Sequence, residues 1–245
     1  MKTNLSQRKV NIISEIHPQF LGSFSELKRM VLQCKLNGAD YIKVQLYDSK
    51  KLFDNEDRVY LEISEKELIE INKICNNEGI KLTASIFDEE RLEWCEKLDF
   101  DFYKIASITV KNDLELCKKI ISTKKKILVS LGMYNYDLGK PFEDNNVEYL
   151  YCVSKYPTNL FDVSMPLFGE RNLFQGFSDH TIGLAASIYA ISRGAMYIEK
   201  HFSNNKSLNV PTQLAHVCSM DAQDLLELRK YADAITLLKV NSFSK

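Results

Sequence analysis

Eight short apolar runs, most of them followed by a helix-like stretch, limit what this chain can fold into. The runs cover residues 10–16, 41–46, 81–85, 102–106, 126–130, 147–153, 173–178 and 196–201. Between them, 25–37, 64–77, 89–98, 113–121 and 184–193 read as helices, and 221–238 is a closing amphipathic helix. The stretch 64–77 opens on Ser64 with Glu67 three residues later, a capping-box pattern, and Gly79 ends it. Strands alternating with helices imply an α/β fold with a parallel sheet. Eight such units in 245 residues point to a (β/α)8 TIM barrel spanning 1–245 as one domain. An open, doubly wound sheet is the alternative, but no GxGxxG follows the first strand.

The helices after strands five and six are expected to be shortened or missing. Residues 135–146 contain Gly139 and Pro141, and 162–172 contain Pro166 and Gly169. The barrel's outer ring should therefore be thin between strands five and seven. Uncovered apolar sheet there is expected to meet another copy of the chain (a homo-oligomer) or a different partner.

Composition narrows the function classes. A formal net charge of −1 gives no footprint for nucleic acid or an anionic membrane. The six cysteines stand singly, with no CxxC, which suits reduced thiols in a cytoplasmic protein. The first residues are polar and no apolar run approaches ~18 residues, so neither a leader nor a membrane span is expected. The stretch 48–60 reads as a polar loop.

In a barrel, function gathers at the carboxyl ends of the strands, where alternate side chains point inward. Reading the strand ends with period two gives Glu15, Lys43 with Gln45, Ser85, Lys104 with Ser107, Ser130, Ser154, Ser178 with His180, and Glu199 with His201. A lysine buried inside an apolar strand is costly unless paired, and YIKVQ and FYKIA each hold one. Each lysine could instead snorkel to solvent, and Glu15 could merely neutralise one of them. Two lysines among hydroxyls suit a phosphate with a carboxylate nearby. His180 and His201, two of only four histidines, sit at matching places on consecutive units and suit a divalent metal with open positions. His17 and His216 read as structural or exposed.

These motifs, in this order, resemble the N-acetylneuraminate (sialic acid) synthase family, which condenses phosphoenolpyruvate with an aldose. IISEI resembles the family's IIAEIG, GADYIKVQ its GAD-x-VKFQ, and SLGM its STGM. CVSKYPT resembles CTSxYPA, VCSMDAQDL resembles the segment opening the last barrel helix, and KIAS, GFSDHT and IEKHF match almost letter for letter. The resemblance runs from about Val10 to Leu238. It implies Mn²⁺ or Mg²⁺ ligated by His180 and His201. It implies phosphoenolpyruvate held by Lys43, Ser85, Lys104, Ser107, Ser130, Ser154 and Ser178, with the acceptor near Glu15 and Gln45. The implied catalytic set is Glu15, Lys43, Lys104, His180 and His201, and the implied product is a nonulosonic or related 2-keto-3-deoxy acid.

Departures gather on the acceptor side. Gln19 and Phe20 stand where the family has an asparagine–histidine pair, and Leu131 replaces a hydroxyl. Gln213, Leu214 and Ala215 stand where the family has GPD, so its acceptor-side carboxylate is missing unless Asp221 or another acid substitutes. The family's C-terminal antifreeze-like domain, which lends an arginine to a neighbouring subunit, has no counterpart in these residues. The expected acceptor is therefore not simply N-acetylmannosamine. A metal-dependent aldolase or isomerase on the same barrel, and a non-catalytic binding or assembly subunit, are the alternatives.

Overall fold

The computed structural model describes residues 9–208 and 214–240. Its strands are β1 (Asn11–Glu15), β2 (Tyr41–Leu46), β3 (Lys81–Ile86), β4 (Phe102–Ile105), β5 (Lys126–Ser130), β6 (Val147–Cys152), β7 (Phe174–Asp179) and β8 (Tyr197–His201). They pair in parallel in sequence order, and β8 closes on β1. The helices are α1 (Phe24–Leu36), α2 (Ser49–Phe53), α3 (Glu65–Glu78), α4 (Glu89–Glu96), α5 (Ser107–Asn112), α6 (Leu114–Ser122), α7 (Ala185–Ser192) and α8 (Ala222–Val240). This is the expected (β/α)8 barrel.

The strand alternation builds two cores. Outward side chains such as Ile12, Ile42 and Val44 bury against helix stripes, among them Leu27, Met30, Val31 and Cys34 of α1. Inward, Ile13, Phe102, Leu128, Leu150 and Tyr197 form a separate apolar plug. At Gly176 of β7 a Cβ would lie 2.6 Å from Tyr197 and 2.7 Å from Leu150, so only glycine lets the plug close there. Two residues further along the same strands the inward positions turn polar: Glu15, Lys104, Ser130, Cys152, Ser178 and Glu199. An apolar floor beneath a polar layer is thus a direct consequence of the period of two.

The outer ring is thin where expected. After β5 there is only a 3-10 turn, Tyr136–Leu138, and after β6 only another, Leu160–Asp162. Leu138 and Phe161 on these turns are 76% and 86% exposed. Two readings need correction. The stretch 48–60 is more than a polar loop, because Asp48 caps α2 and a 3-10 turn, Val59–Leu61, follows. The chain past β4 also enters a helix at once, α5, before Asp113 caps α6. The capping box on α3 forms as expected, with Ser64 and Glu67 bonding each other's backbone. Among the described residues no helix is long and apolar enough to cross a membrane.

Candidate active site

One cavity of about 240 Å³ opens at the carboxyl ends of the strands, and every residue of the implied catalytic and substrate-binding set lines it. Glu15, Lys43 and Gln45 enter from β1 and β2, Ser85 and Lys104 from β3 and β4, and Ser130 and Ser178 from β5 and β7. Ser107, Ser154 and His180 lie just past their strands, and His201 ends β8. Gly132, in the SLGM turn, brings two of these loops together. Its N–H donates to the Ser107 hydroxyl at 3.0 Å, and a Cβ there would fall 2.4 Å from the Ser154 oxygen.

Neither lysine snorkels; Lys43 and Lys104 are 4% and 2% exposed. Lys43 forms an ion pair with Glu15, donates to Ser85 at 2.9 Å and lies 3.5 Å from Glu199. Burial works against its charge, but Glu15 and Glu199 hold its pKa above the usual value. Burial raises the Glu15 carboxyl despite Lys43, while Gln45 donates to it at 3.3 Å. Lys104 is different. Its ammonium donates to Ser130 at 2.8 Å and to the Ile105 carbonyl at 2.9 Å, and no carboxylate pairs with it among the described residues. Burial, only partly offset by Glu199, brings its pKa down to about 8.

Glu199 stood among the strand-end residues but was not assigned to the site. It accepts from the Ser178 hydroxyl at 2.7 Å, and its second oxygen is buried with no hydrogen-bond partner. Burial opposes its charge, yet Lys104 and Lys43 hold it down to about 2. Tyr156, whose ring packs 4.1 Å from that of His180, and Arg58, from the chain following α2, also line the cavity. Neither stands at a strand end, so the period of two could not find them.

The two imidazoles converge, with ring centres 6.0 Å apart. Two imidazoles sharing one cation at roughly 2.1 Å put their ring centres on the order of 5–6 Å apart. The Nδ1 of His180 meets the Val153 carbonyl at 2.9 Å and that of His201 meets the Gln19 amide oxygen at 3.0 Å. With both Nδ1 atoms donating, each Nε2 is left to accept. Burial, with His180 and Lys43, holds His201 well below the usual histidine pKa and therefore neutral. At His180 burial opposes the proton, but the Cys152 sulfur and the Val153 carbonyl favour it, a net rise. No group of three or more His, Cys, Asp or Glu converges as a metal site among the described residues. Two nitrogens, with the Glu199 carboxylate sharing their cavity, fit a divalent cation that takes its remaining ligands from substrate and water.

His17 and His216 have structural roles. His17 is buried against the Tyr47 hydroxyl at 3.1 Å, and burial brings its pKa down to about 3. His216 bonds the Ser203 hydroxyl at 2.9 Å. Gln213 lies outside the described residues, while Leu214 and Ala215 line the cavity mouth. Asp221 does not replace the missing carboxylate; it accepts from the Asp224 N–H and pairs with Lys206 at 2.8 Å.

Known proteins resemble this chain in sequence and in fold. The NeuB family model matches residues 30–241. A pseudaminic acid synthase of Campylobacter jejuni is 30% identical over 83% of this chain and 68% of its own length. An N,N'-diacetyllegionaminic acid synthase of Legionella pneumophila is 29% identical over 93% of this chain and 72% of its own. An uncharacterized protein of Methanocaldococcus jannaschii is 31% identical, and the match covers 82% of this chain but only 63% of that protein. Among solved structures, the sialic acid synthetase of Leptospira borgpetersenii in complex with citrate superposes with a TM-score of 0.84 at 23% identity, covering 97% of this chain and 87% of that one. That likeness speaks for the fold. The motifs, the family model and the relatives together place this chain in the NeuB family.

Proposed function

We propose that the chain joins phosphoenolpyruvate to an aldose, releasing phosphate and forming a 2-keto-3-deoxy sugar acid of the nonulosonic type. The observation that carries this reading is Lys104. A buried ammonium held only by a hydroxyl and a carbonyl is an anion site waiting for its anion. It shares its cavity with two imidazoles that present Nε2 and with a carboxyl raised by burial. Relatives named as synthases of pseudaminic and N,N'-diacetyllegionaminic acids support the product class.

Phosphoenolpyruvate binds with its anionic groups among Lys104, Lys43 and the hydroxyls of Ser85, Ser107, Ser130, Ser154 and Ser178. The aldose takes the side of Glu15 and Gln45. The chemistry that a divalent cation on His180 and His201, Mn²⁺ or Mg²⁺, supplies is polarisation of the aldehyde carbonyl. The methylene carbon of phosphoenolpyruvate attacks the aldehyde carbon, forming the new C–C bond, and the aldehyde oxygen becomes a hydroxyl. Water adds to the enol carbon, and the adduct expels phosphate, leaving the 2-keto group. Glu15 moves the proton at the acceptor oxygen or the water, a task its raised pKa suits. Lys43 and Lys104 offset the charge of the leaving phosphate from fixed positions.

The test is phosphate release from phosphoenolpyruvate with Mn²⁺ and a panel of aldoses, with mass spectrometry of the product. The expected result is aldose-dependent release and a product heavier than the aldose by its three-carbon keto-acid unit. Lys104→Met and His201→Ala are each expected to lose about 100-fold or more. Release that ignores the aldose, or no release with any aldose, overturns the reading.

A further inference from the structure

Three cations line the cavity, and they are not equivalent. Lys43 pairs with carboxylates, and Lys104 is tied to Ser130 and the Ile105 carbonyl. Arg58 is the third. Its guanidinium lies over the Phe53 ring, 4.3 Å from the centroid, and among the described residues no carboxylate pairs with it. Nearby in the chain, Asp48 accepts from the Lys51 N–H that it caps, and Glu62 accepts from the Ser49 N–H at 2.6 Å. The segment is nevertheless anchored, because the Arg58 N–H donates to the Ser49 hydroxyl at 3.3 Å and that hydroxyl donates to the Asn55 carbonyl at 2.9 Å. A planar fork of donors thus lines the cavity with no carboxylate partner among the described residues.

Its place in the fold says which substrate it meets. Arg58 follows β2 and acts electrostatically on His17 and Tyr47, which lie just past β1 and β2. That is the side of Glu15 and Gln45. Lys104, Ser107 and Ser130 come from β4 and β5. The imidazoles, which would hold a cation that polarises the aldehyde, come from the ends of β7 and β8. An acceptor reaching from the imidazoles past Glu15 presents its far end to Arg58.

Resting on the condensation proposed above, we infer that Arg58 reads an oxyanion carried by the acceptor aldose at the end remote from its aldehyde. A guanidinium over an aromatic face binds a phosphate or carboxylate through two parallel N–H···O bonds. A neutral sugar gives it hydroxyls only. The acceptor class is thus an aldose phosphate or an aldose acid.

The experiment compares three acceptor arms, a neutral hexosamine, the matching 6-phosphate and a hexuronate, in the wild type, Arg58→Gln and Arg58→Lys. Turnover with phosphoenolpyruvate gives the KM of each substrate. The expected result is that one anionic arm outperforms the neutral arm in kcat/KM at least tenfold. Arg58→Gln raises the KM of that anionic acceptor at least tenfold, Arg58→Lys recovers part of the loss, and the change falls on the acceptor rather than on phosphoenolpyruvate. Phosphate and carboxylate are told apart by which arm wins. Equal kcat/KM for the neutral and anionic arms, or an Arg58→Gln effect confined to the KM of phosphoenolpyruvate, overturns the inference and leaves the condensation standing. If no aldose releases phosphate, the condensation reading fails, and calorimetric titration with the aldose 6-phosphate and the hexuronate still decides for Arg58. A tenfold weaker affinity in Arg58→Gln supports its role, and equal affinity, or no binding to the wild type, ends it.

Discussion

A histidine becomes a defined ligand only when something fixes its ring, and the two proposed as ligands here are fixed differently. His180 is tied to a backbone carbonyl, which no side-chain substitution removes. His201 depends on Gln19, a side chain from the loop where this chain departs from its family. Gln19→Leu removes the acceptor at Nδ1 while keeping the buried volume, so His201 loses the bond that selects its tautomer. The expected outcome is a Mn²⁺ affinity about 10-fold weaker by calorimetry, in the range such outer partners contribute, with an unchanged circular dichroism spectrum. Equal affinity would remove Gln19 from the site. The sequence pointed to the lysines, serines and histidines because each sits at a strand end, where parity decides which way a side chain faces. Gln19 and Arg58 lie in connections with no such period; the sequence marks Gln19 only as a departure from the family and Arg58 not at all, and their places in three dimensions reveal what they do.

At the scale of elements, the ends of β7 and β8 carry both imidazoles, and a buried ion pair joins the strands there. Lys200 donates to Asp179 at 3.0 Å and to the Thr181 carbonyl at 2.6 Å, and both side chains of the pair are fully buried. Asp179 also accepts from the Thr181 N–H, from the Thr181 hydroxyl and from Ser187 of α7. Each residue of the pair directly precedes or lies next to a ring-bearing position, so the pair sets the spacing of the strand ends from outside the barrel. Removing one partner leaves a charge buried and short of its counter-ion, at about 3–5 kcal/mol. Lys200→Met is therefore expected to lower Tm by about 6 °C or more by calorimetry. A variant as stable as the wild type would mean that the pair holds nothing. Element existence was legible for the long periodic helices and for the two missing ones, whose Pro and Gly residues forbid a helix. The five-residue α2 is too short to show a period. The β-branched Ile108, Thr109 and Val110 of α5 favour a strand on propensity alone, and the barrel's packing overrides them.

For the molecule as a whole, the site is a place where folding and binding pull apart. Lys104 has a pKa of about 8 when folded, against 10.5 when unfolded. Between those values the unfolded chain binds more protons, so this group's contribution to stability rises as pH climbs from about 8 to 10.5. Below pH 8 the folded barrel carries the full cost of a buried ammonium, on the order of 3 kcal/mol, with the attraction to Glu199 already counted. Lys104→Met removes that cost but leaves the Ser130 hydroxyl and the Ile105 carbonyl without their partner, returning about 1–2 kcal/mol. The net expectation at pH 7 is a variant about 3–6 °C more stable by calorimetry that has lost its phosphate release. The gap should narrow as the pH approaches 10, because the wild-type lysine then sheds its proton in the folded state. A Lys104→Met variant less stable than the wild type at pH 7, or a gap that does not change with pH, would show that Lys104 sits in its pocket at no cost. The case for an anion site built at the expense of stability would then fall.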